Sequence, residues 1–226
     1  MFFTCYFGKI VEHIHQAPSK GNSYFFANNT QLKDVIDKAG WKFVLVNFEI
    51  SEDYLVSSLQ SKYVKFLKFL KDYPNFEKQY TVFVYIDGKY KYPSNFINDV
   101  LYQISNCKGK DLIIKEHPVL NRKSIWDEVR DASGQERYKR NMHKTVAYLN
   151  DMIKKGVFSH QVRVCATGFI IYINYKNVLS LIDDVYDICM EHEQPECQIY
   201  WAALSQNYTH QIHTIPFESI LGMKYH

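Results

Sequence analysis

Paired cysteines are missing from this 226-residue chain. Its five cysteines, Cys5, Cys107, Cys165, Cys189 and Cys197, are odd in number and form no C-x-x-C pair. That argues against a disulfide framework and a thiolate zinc site, and points to reduced thiols in a cytoplasmic protein. Charge of one sign is missing too: 27 basic against 24 acidic residues leave a formal +3. This is too little for a dedicated nucleic-acid binder, although a local basic site for a phosphorylated ligand stays open. No apolar run reaches membrane-spanning length. The apolar start, Met1-Phe2-Phe3-Thr4-Cys5-Tyr6-Phe7-Gly8, has neither the basic leader nor the length of a signal peptide and is expected to open directly on a core strand. Absence of G-x-G-x-x-G, G-x-x-x-x-G-K-[ST] and G-x-S-x-G argues against dinucleotide oxidoreductases, P-loop enzymes and α/β-hydrolases. No repeat, low-complexity tract or linker divides the chain, so residues 1–226 are expected to form a single domain.

What is present is apolar and aromatic. Hydrophobic residues make up 46% of the chain, ample for a packed core, and its 18 Tyr and 15 Phe suit strands, cores and the walls of sugar or base sites. Buried strands are expected over Phe2–Phe7, Trp41–Phe48, Tyr80–Ile86, Asp111–Lys115, Val162–Asn174 (broken near Gly168) and Gln211–Ile215. Helical spacing and caps predict helices over Thr30–Ala39, Ser61–Tyr73, Asn95–Ile104, Ser124–Ala132, Glu136–Lys155, Val178–Glu191 and Glu196–Asn207. Such alternation implies an α/β fold, a mainly parallel, doubly wound sheet with helices on both faces.

In open parallel sheets ligands bind at the carboxyl ends of strands. Asp87 directly follows the most apolar strand, and Gly88 would let a ligand approach the backbone; an ordinary Asp-Gly turn is the alternative. Lys62, Lys65 and Lys68 form a basic stripe opposite the apolar face of their helix, where they either face a diphosphate or merely solvate the surface. His117, in Lys115-Glu116-His117-Pro118, and Arg122 put an imidazole and a cation at the same sheet edge, for a sugar hydroxyl or phosphate or for a structural bond to backbone. Glu196 lies in the first turn of a late helix, where an acid also complements the dipole. His13-x-His15 and His210-x-x-His213 lack the acidic or thiolate partners of a metal site.

In order, these signposts are Thr4-Cys5-Tyr6-Phe7-Gly8, Ser61-Lys62-Tyr63-Val64-Lys65, Val84-Tyr85-Ile86-Asp87-Gly88, Lys115-Glu116-His117-Pro118 with Arg122, Thr167-Gly168-Phe169, and Pro195-Glu196-Cys197-Gln198-Ile199-Tyr200-Trp201 with Ser205-Gln206. Together they resemble a GT-A-type glycosyltransferase-like family of bacteria, plants and large DNA viruses, over nearly the whole chain. The resemblance implies a Rossmann-like sheet whose first half, about residues 1–110, holds a UDP- or GDP-linked sugar and whose second, about 111–226, holds a glycan or glycoprotein acceptor. It implies that Thr4, Tyr6 and Gly8 lie near the base and ribose, that Lys62, Lys65, Gly88, His117, Arg122, Gly168 and Gln198 contribute to substrate binding, and that Asp87 takes the place of the D-x-D acid.

Here the motif reads Asp-Gly-Lys, without the second acid, so a divalent Mn or Mg would have to be held by Asp87, donor phosphates and waters; without metal, lysines such as Lys62 must neutralise the diphosphate. Glu196 matches the base of inverting members, although related sequences often carry Arg-Asp-Gln where this chain has Glu-Cys-Gln. The implied activity is transfer of a hexosyl or pentosyl group; a non-catalytic sugar- or protein-binding module on the same fold is the alternative.

Overall fold

The computed structural model describes residues 1–9, 14–119 and 123–220. Arg122 and His13 lie outside the described residues. Seven strands form one sheet: β1 (Phe2–Tyr6), β2 (Ser23–Ala27), β3 (Lys42–Leu45), β4 (Phe83–Ile86), β5 (Leu112–Glu116), β6 (Cys165–Tyr172) and β7 (Ile212–Ile215). Their order is β3-β2-β1-β4-β6-β5-β7, all parallel except β6, which runs antiparallel to both β4 and β5.

Helices cover both faces, as the double-sided burial of β2, β4 and β6 requires. The helices are α1 (Lys33–Lys38), α2 (Tyr54–Lys65), α3 (Asn75–Gln79), α4 (Phe96–Asn106), α5 (Ile125–Ala132), α6 (Glu136–Lys139), α7 (Met142–Lys154), α8 (Leu179–Glu191) and α9 (Cys197–Leu204). Side chains alternate across the pleat. Phe3, Phe26, Tyr85, Ile170 and Tyr172 join Phe66, Phe69, Val185 and Trp201 on one face, beneath α2, α8 and α9. Val84, Ile86, Phe169 and Ile171 join Phe96 and Val100 of α4 on the other, while Phe25 and Ala27 pack on Ile36 and Trp41. Among the described residues no helix is long and apolar enough to cross a membrane.

The mainly parallel α/β architecture is the one expected, with differences of detail. Strand β2 was not anticipated: the five-residue segment Ser-Tyr-Phe-Phe-Ala is wholly buried, so it carries no alternation to mark it. The helix expected over Ser61–Tyr73 starts earlier, at Tyr54, with Asp53 accepting from the Leu55 N–H at 2.8 Å as its cap. It ends at Lys65 because Leu67 turns into the left-handed region at φ 57°, and a 3-10 turn over Lys68–Lys71 then buries Phe69 and Leu70. Glu136–Lys155 is two helices, α6 and α7, the second opening at Asn141, whose side-chain amide donates to the Glu193 carbonyl at 3.1 Å. The irregularity near Gly168 is a register shift rather than a break: Ile114 pairs with Ile170 but Lys115 pairs with Ala166.

Candidate functional site

Strands β1 and β4 are neighbours at the point where successive connections leave in opposite directions, and ligands enter open sheets at such a switch. A cleft of about 570 Å³ lies there, a size ordinary for a small-molecule site. Its floor and walls come from the ends of β1 (Cys5 to Lys9) and β4 (Tyr85, Asp87, Lys89, Tyr90). Because β6 runs the opposite way, its first half faces the same edge and adds Thr167 and Gly168.

One whole face of α2 forms a wall. Tyr54, Ser57, Ser58, Ser61, Lys62 and Lys65 line the cleft at the three- and four-residue spacing of a single helical stripe. Of the two positions open to these lysines, the structure has Lys62 and Lys65 turned to the cleft rather than to bulk solvent, with Lys62 only 7% and Lys65 only 5% exposed. Lys68, further along the same series, lies outside the cleft and pairs with Asp183 at 2.8 Å.

Lys65 is fixed deep in the site. The Tyr172 hydroxyl donates to its carbonyl at 2.8 Å, and its Nζ lies 3.8 Å from Cys197 Sγ and 5.1 Å from the centre of the Tyr85 ring. Burial would pull its ammonium down, but Cys197, Asp87, Glu196 and Cys5 together hold it above the ordinary lysine value. Burial likewise opposes ionisation of Asp87, yet the charges of Lys89, Lys65 and Lys62 and the Lys89 N–H, 3.4 Å from Oδ1, hold its carboxyl below the usual range. Lys65 and Asp87 therefore stay charged together at neutral pH. Cys5 does the reverse: burial, then the Asp87 charge, pushes its thiol up to about 12.

The third wall is the start of α9. Glu196 is its N-cap, Oε1 accepting from the Gln198 N–H at 3.2 Å, and it is buried with Pro195 and Cys197 at the cleft edge. Gln198 accepts from the Thr167 N–H at 3.3 Å and donates to Glu128 Oε1 at 3.0 Å. Glu128 in turn lies 3.9 Å from His117 Nε2. His117 thus stands behind the wall, two side chains removed from the cleft. Tyr138 borders it, its phenol pushed well above the ordinary value by burial and by the Glu196 carboxylate.

Of the other residues singled out in the sequence, Tyr6, Gly8, Gly168 and Gln198 line the cleft with Asp87, Lys62, Lys65 and Glu196. Thr4 and Gly88 do not line it. Gly88 is exposed in the turn itself and Thr4 is buried next to it, where a Cβ on Gly88 would sit 3.7 Å from Thr4 Oγ1. Gly168 has a steric role as well: a Cβ there would come within 2.5 Å of the Tyr90 ring.

Several lining residues were not anticipated. Lys9, Lys89 and Arg137 add cations, and Asn28 and Asn29 position the turn after β1, Asn28 accepting from the Gly8 N–H at 3.1 Å and Asn29 donating to the Lys9 carbonyl at 3.1 Å. A polar i, i+3, i+4, i+7 stripe beginning just after Asp53 was the legible signal for the α2 wall. Nothing local announced Arg137, because its place depends on the packing of α6 against α2.

Five cations, Lys9, Lys62, Lys65, Lys89 and Arg137, face three carboxylates, Glu52, Asp87 and Glu196. Lys9 and Glu52 pair with each other at the rim. The remaining four cations exceed Asp87 and Glu196 by two charges, which suits a dianionic ligand. For a divalent metal the fit is poor. The charges of Lys89, Lys65 and Lys62 all act on the Asp87 carboxylate, and Lys89 stands two residues on, where a second acid would sit.

No family model matches the chain, and no curated protein matches it. Several solved structures are similar to it at low identity. Mouse xyloside xylosyltransferase 1, in its apo form, is 11% identical with a TM-score of 0.46, over 95% of this chain and 84% of that one. A glycosyltransferase involved in glycosylation of the major capsid of PBCV-1 is 8% identical with a TM-score of 0.44, over 96% of this chain and 82% of that one. Glucosyl-3-phosphoglycerate synthase of Mycobacterium tuberculosis, in complex with Mn²⁺ and uridine-diphosphate-glucose, is 7% identical with a TM-score of 0.39, over 100% of this chain and 71% of that one.

Proposed function

We propose that this chain is a glycosyltransferase, moving a hexosyl or pentosyl group from a UDP- or GDP-linked donor to a hydroxyl of a glycan or glycoprotein acceptor, with inversion. The observation that carries this reading is the pair of buried lysines, Lys62 and Lys65, turned into a cleft at the β1/β4 switch with Asp87 beside them. Buried ammonium groups at a strand-end cleft call for an anionic ligand, and a diphosphate supplies one of matching charge. The family resemblance of the ordered motifs supplies the sugar.

In the proposed reaction the acceptor hydroxyl oxygen attacks the anomeric carbon and forms the new C–O bond. The bond from that carbon to the diphosphate oxygen breaks, and its electron pair leaves with the nucleoside diphosphate. The hydroxyl proton passes to the Glu196 carboxylate. Charge builds on the departing phosphate oxygens, where the fixed lysines stabilise it; being already oriented and partly desolvated, they need little reorganisation. Asp87 holds those lysines in place through their mutual attraction. We assign the donor to the wall made by β1, α2 and β4, and the acceptor to the side of α6 and α9.

Calorimetric titration with UDP- and GDP-sugars tests the donor assignment, and absence of binding to every nucleotide sugar and free nucleoside diphosphate would refute it. Separate replacement of Asp87 and Glu196 by Ala distinguishes an enzyme from a binding module. Loss of transfer or donor hydrolysis in both, with the fold intact, marks the enzyme.

A further inference from the structure

We infer that the donor diphosphate is bound without a divalent cation, its charge met by the ammonium groups of Lys62, Lys65 and Lys89. This rests on the nucleotide-sugar reading above and goes beyond it.

The first observation concerns the oxygens. Hard divalent cations are held at phosphate sites by one or two carboxylates together with waters and phosphate oxygens. All three carboxylates of the cleft are already engaged by cations or N–H groups: Glu52 by Lys9, Asp87 by the Lys89 N–H and the lysine charges, and Glu196 by the Gln198 N–H. Two residues beyond Asp87, where a second acid would complete a metal pair, stands Lys89, whose charge acts on the same carboxylate. A divalent ion placed there would meet that ammonium at close range.

The second observation is Lys62. Among the described residues its ammonium has no ion pair or hydrogen bond, although the side chain is more than nine-tenths buried and lines the cleft. Lys68, from the same stripe, has its own carboxylate in Asp183. The Lys62 charge acts on the Asp87 carboxylate only from beyond contact distance, so a largely buried cation has no contact partner of its own, and in this cleft the ligand supplies one. Ser58, on the same face of α2, presents a hydroxyl alongside that can donate to a phosphate oxygen, whereas the Ser61 hydroxyl donates to the Ser58 carbonyl at 2.6 Å and that of Ser57 to the Asp53 carbonyl at 3.3 Å.

The test uses the full chain, with UDP and GDP as probes, titrated calorimetrically in EDTA and in excess Mn²⁺ or Mg²⁺. Dissociation constants within about twofold of each other in the two conditions are expected, together with weakening at higher salt. Lys62→Met should weaken binding about tenfold or more, the effect of removing one charge-assisted contact. Lys89 is exposed, so Lys89→Asp should fold normally; it should lose about tenfold in EDTA and recover part of that with Mn²⁺, since it supplies the absent second acid. Wild-type binding that needs Mn²⁺ or Mg²⁺, or Lys89→Asp binding as tightly as wild type in EDTA, overturns the lysine assignment and leaves the nucleotide-sugar reading standing. No binding in either condition overturns both.

Discussion

Gly168→Ala is the substitution whose consequence can be worked most directly from distances. A methyl at residue 168 would lie 2.5 Å from Tyr90 Cε2, 2.7 Å from its hydroxyl oxygen and 3.0 Å from Cζ. All three atoms belong to one rigid ring on a residue only 2% exposed, so no flexible side-chain end can give way. Normal carbon contact is about 3.5–4.0 Å, and the ring must therefore move by about 1 Å. Its backbone is tied to the turn after β4: Asp87 N–H donates to the Gly168 carbonyl at 2.7 Å, and Tyr90 N–H donates to the Asp87 carbonyl at 2.9 Å.

Overpacking of this kind costs about 1–3 kcal/mol. For a domain of this size each kcal/mol is worth about 2–4 °C in Tm. Urea denaturation of wild type, Gly168→Ala, Tyr90→Ala and the double variant completes a cycle. In the Tyr90→Ala background the added methyl should cost under about 0.5 kcal/mol, because the ring it strikes is gone. An equal cost in both backgrounds, or no cost in wild type, would refute the steric reading of Gly168.

Glu196→Gln keeps an oxygen to cap α9 but cannot take a proton; transfer should fall about 10²–10⁴-fold with stability nearly unchanged, whereas Glu196→Ala should also lose about 1 kcal/mol in denaturant melts. Burial pushes the Lys115 ammonium down to about 8, against the attraction of Glu218, from an ordinary value of 10.5. Between those values the unfolded chain holds a proton that the folded chain has released, so the free energy of unfolding should rise with pH across that window; Lys115→Met should remove this increment in paired urea melts at pH 7.5 and 10. Thr145 Oγ1 and the Tyr200 hydroxyl, buried 2.7 Å apart, form a chain with His192 Nδ1 at 2.9 Å. Thr145→Val removes one of the two bonds of the Tyr200 hydroxyl and should cost about 0.5–1.5 kcal/mol in the same melts.

Elements with one polar face were legible from the sequence, because their periodicity survives. Helix α5 shows this: Ser124 caps it, accepting from the Trp126 N–H at 3.2 Å, and it ends at Ala132 as expected. Elements buried on all sides were not. Ser23–Ala27 has no polar face to betray its period, and the reversed direction of β6 leaves no trace in a strand whose eight residues are all buried. In the cleft, Asp87 was legible because an acid follows an apolar strand. The lysines of α2 were legible as a stripe but not as a buried one, since a helix face directed at a polar cleft and one directed at water have the same pattern. Arg137, Tyr138 and Lys9 reach the cleft through tertiary packing alone.

The central claim is that Lys62, Lys65, Asp87 and Glu196 form the site of a nucleotide-sugar transferase. Its most direct test is release of nucleoside diphosphate from a panel of UDP- and GDP-sugars, followed by a coupled assay with wild-type protein and with Glu196→Gln. Turnover of at least one donor by wild type, reduced by about 10²-fold or more in Glu196→Gln while calorimetry shows donor binding retained, is the predicted result. Donor binding with equal release by both proteins, or no release by wild type with any donor and a mixed glycan acceptor, would contradict it.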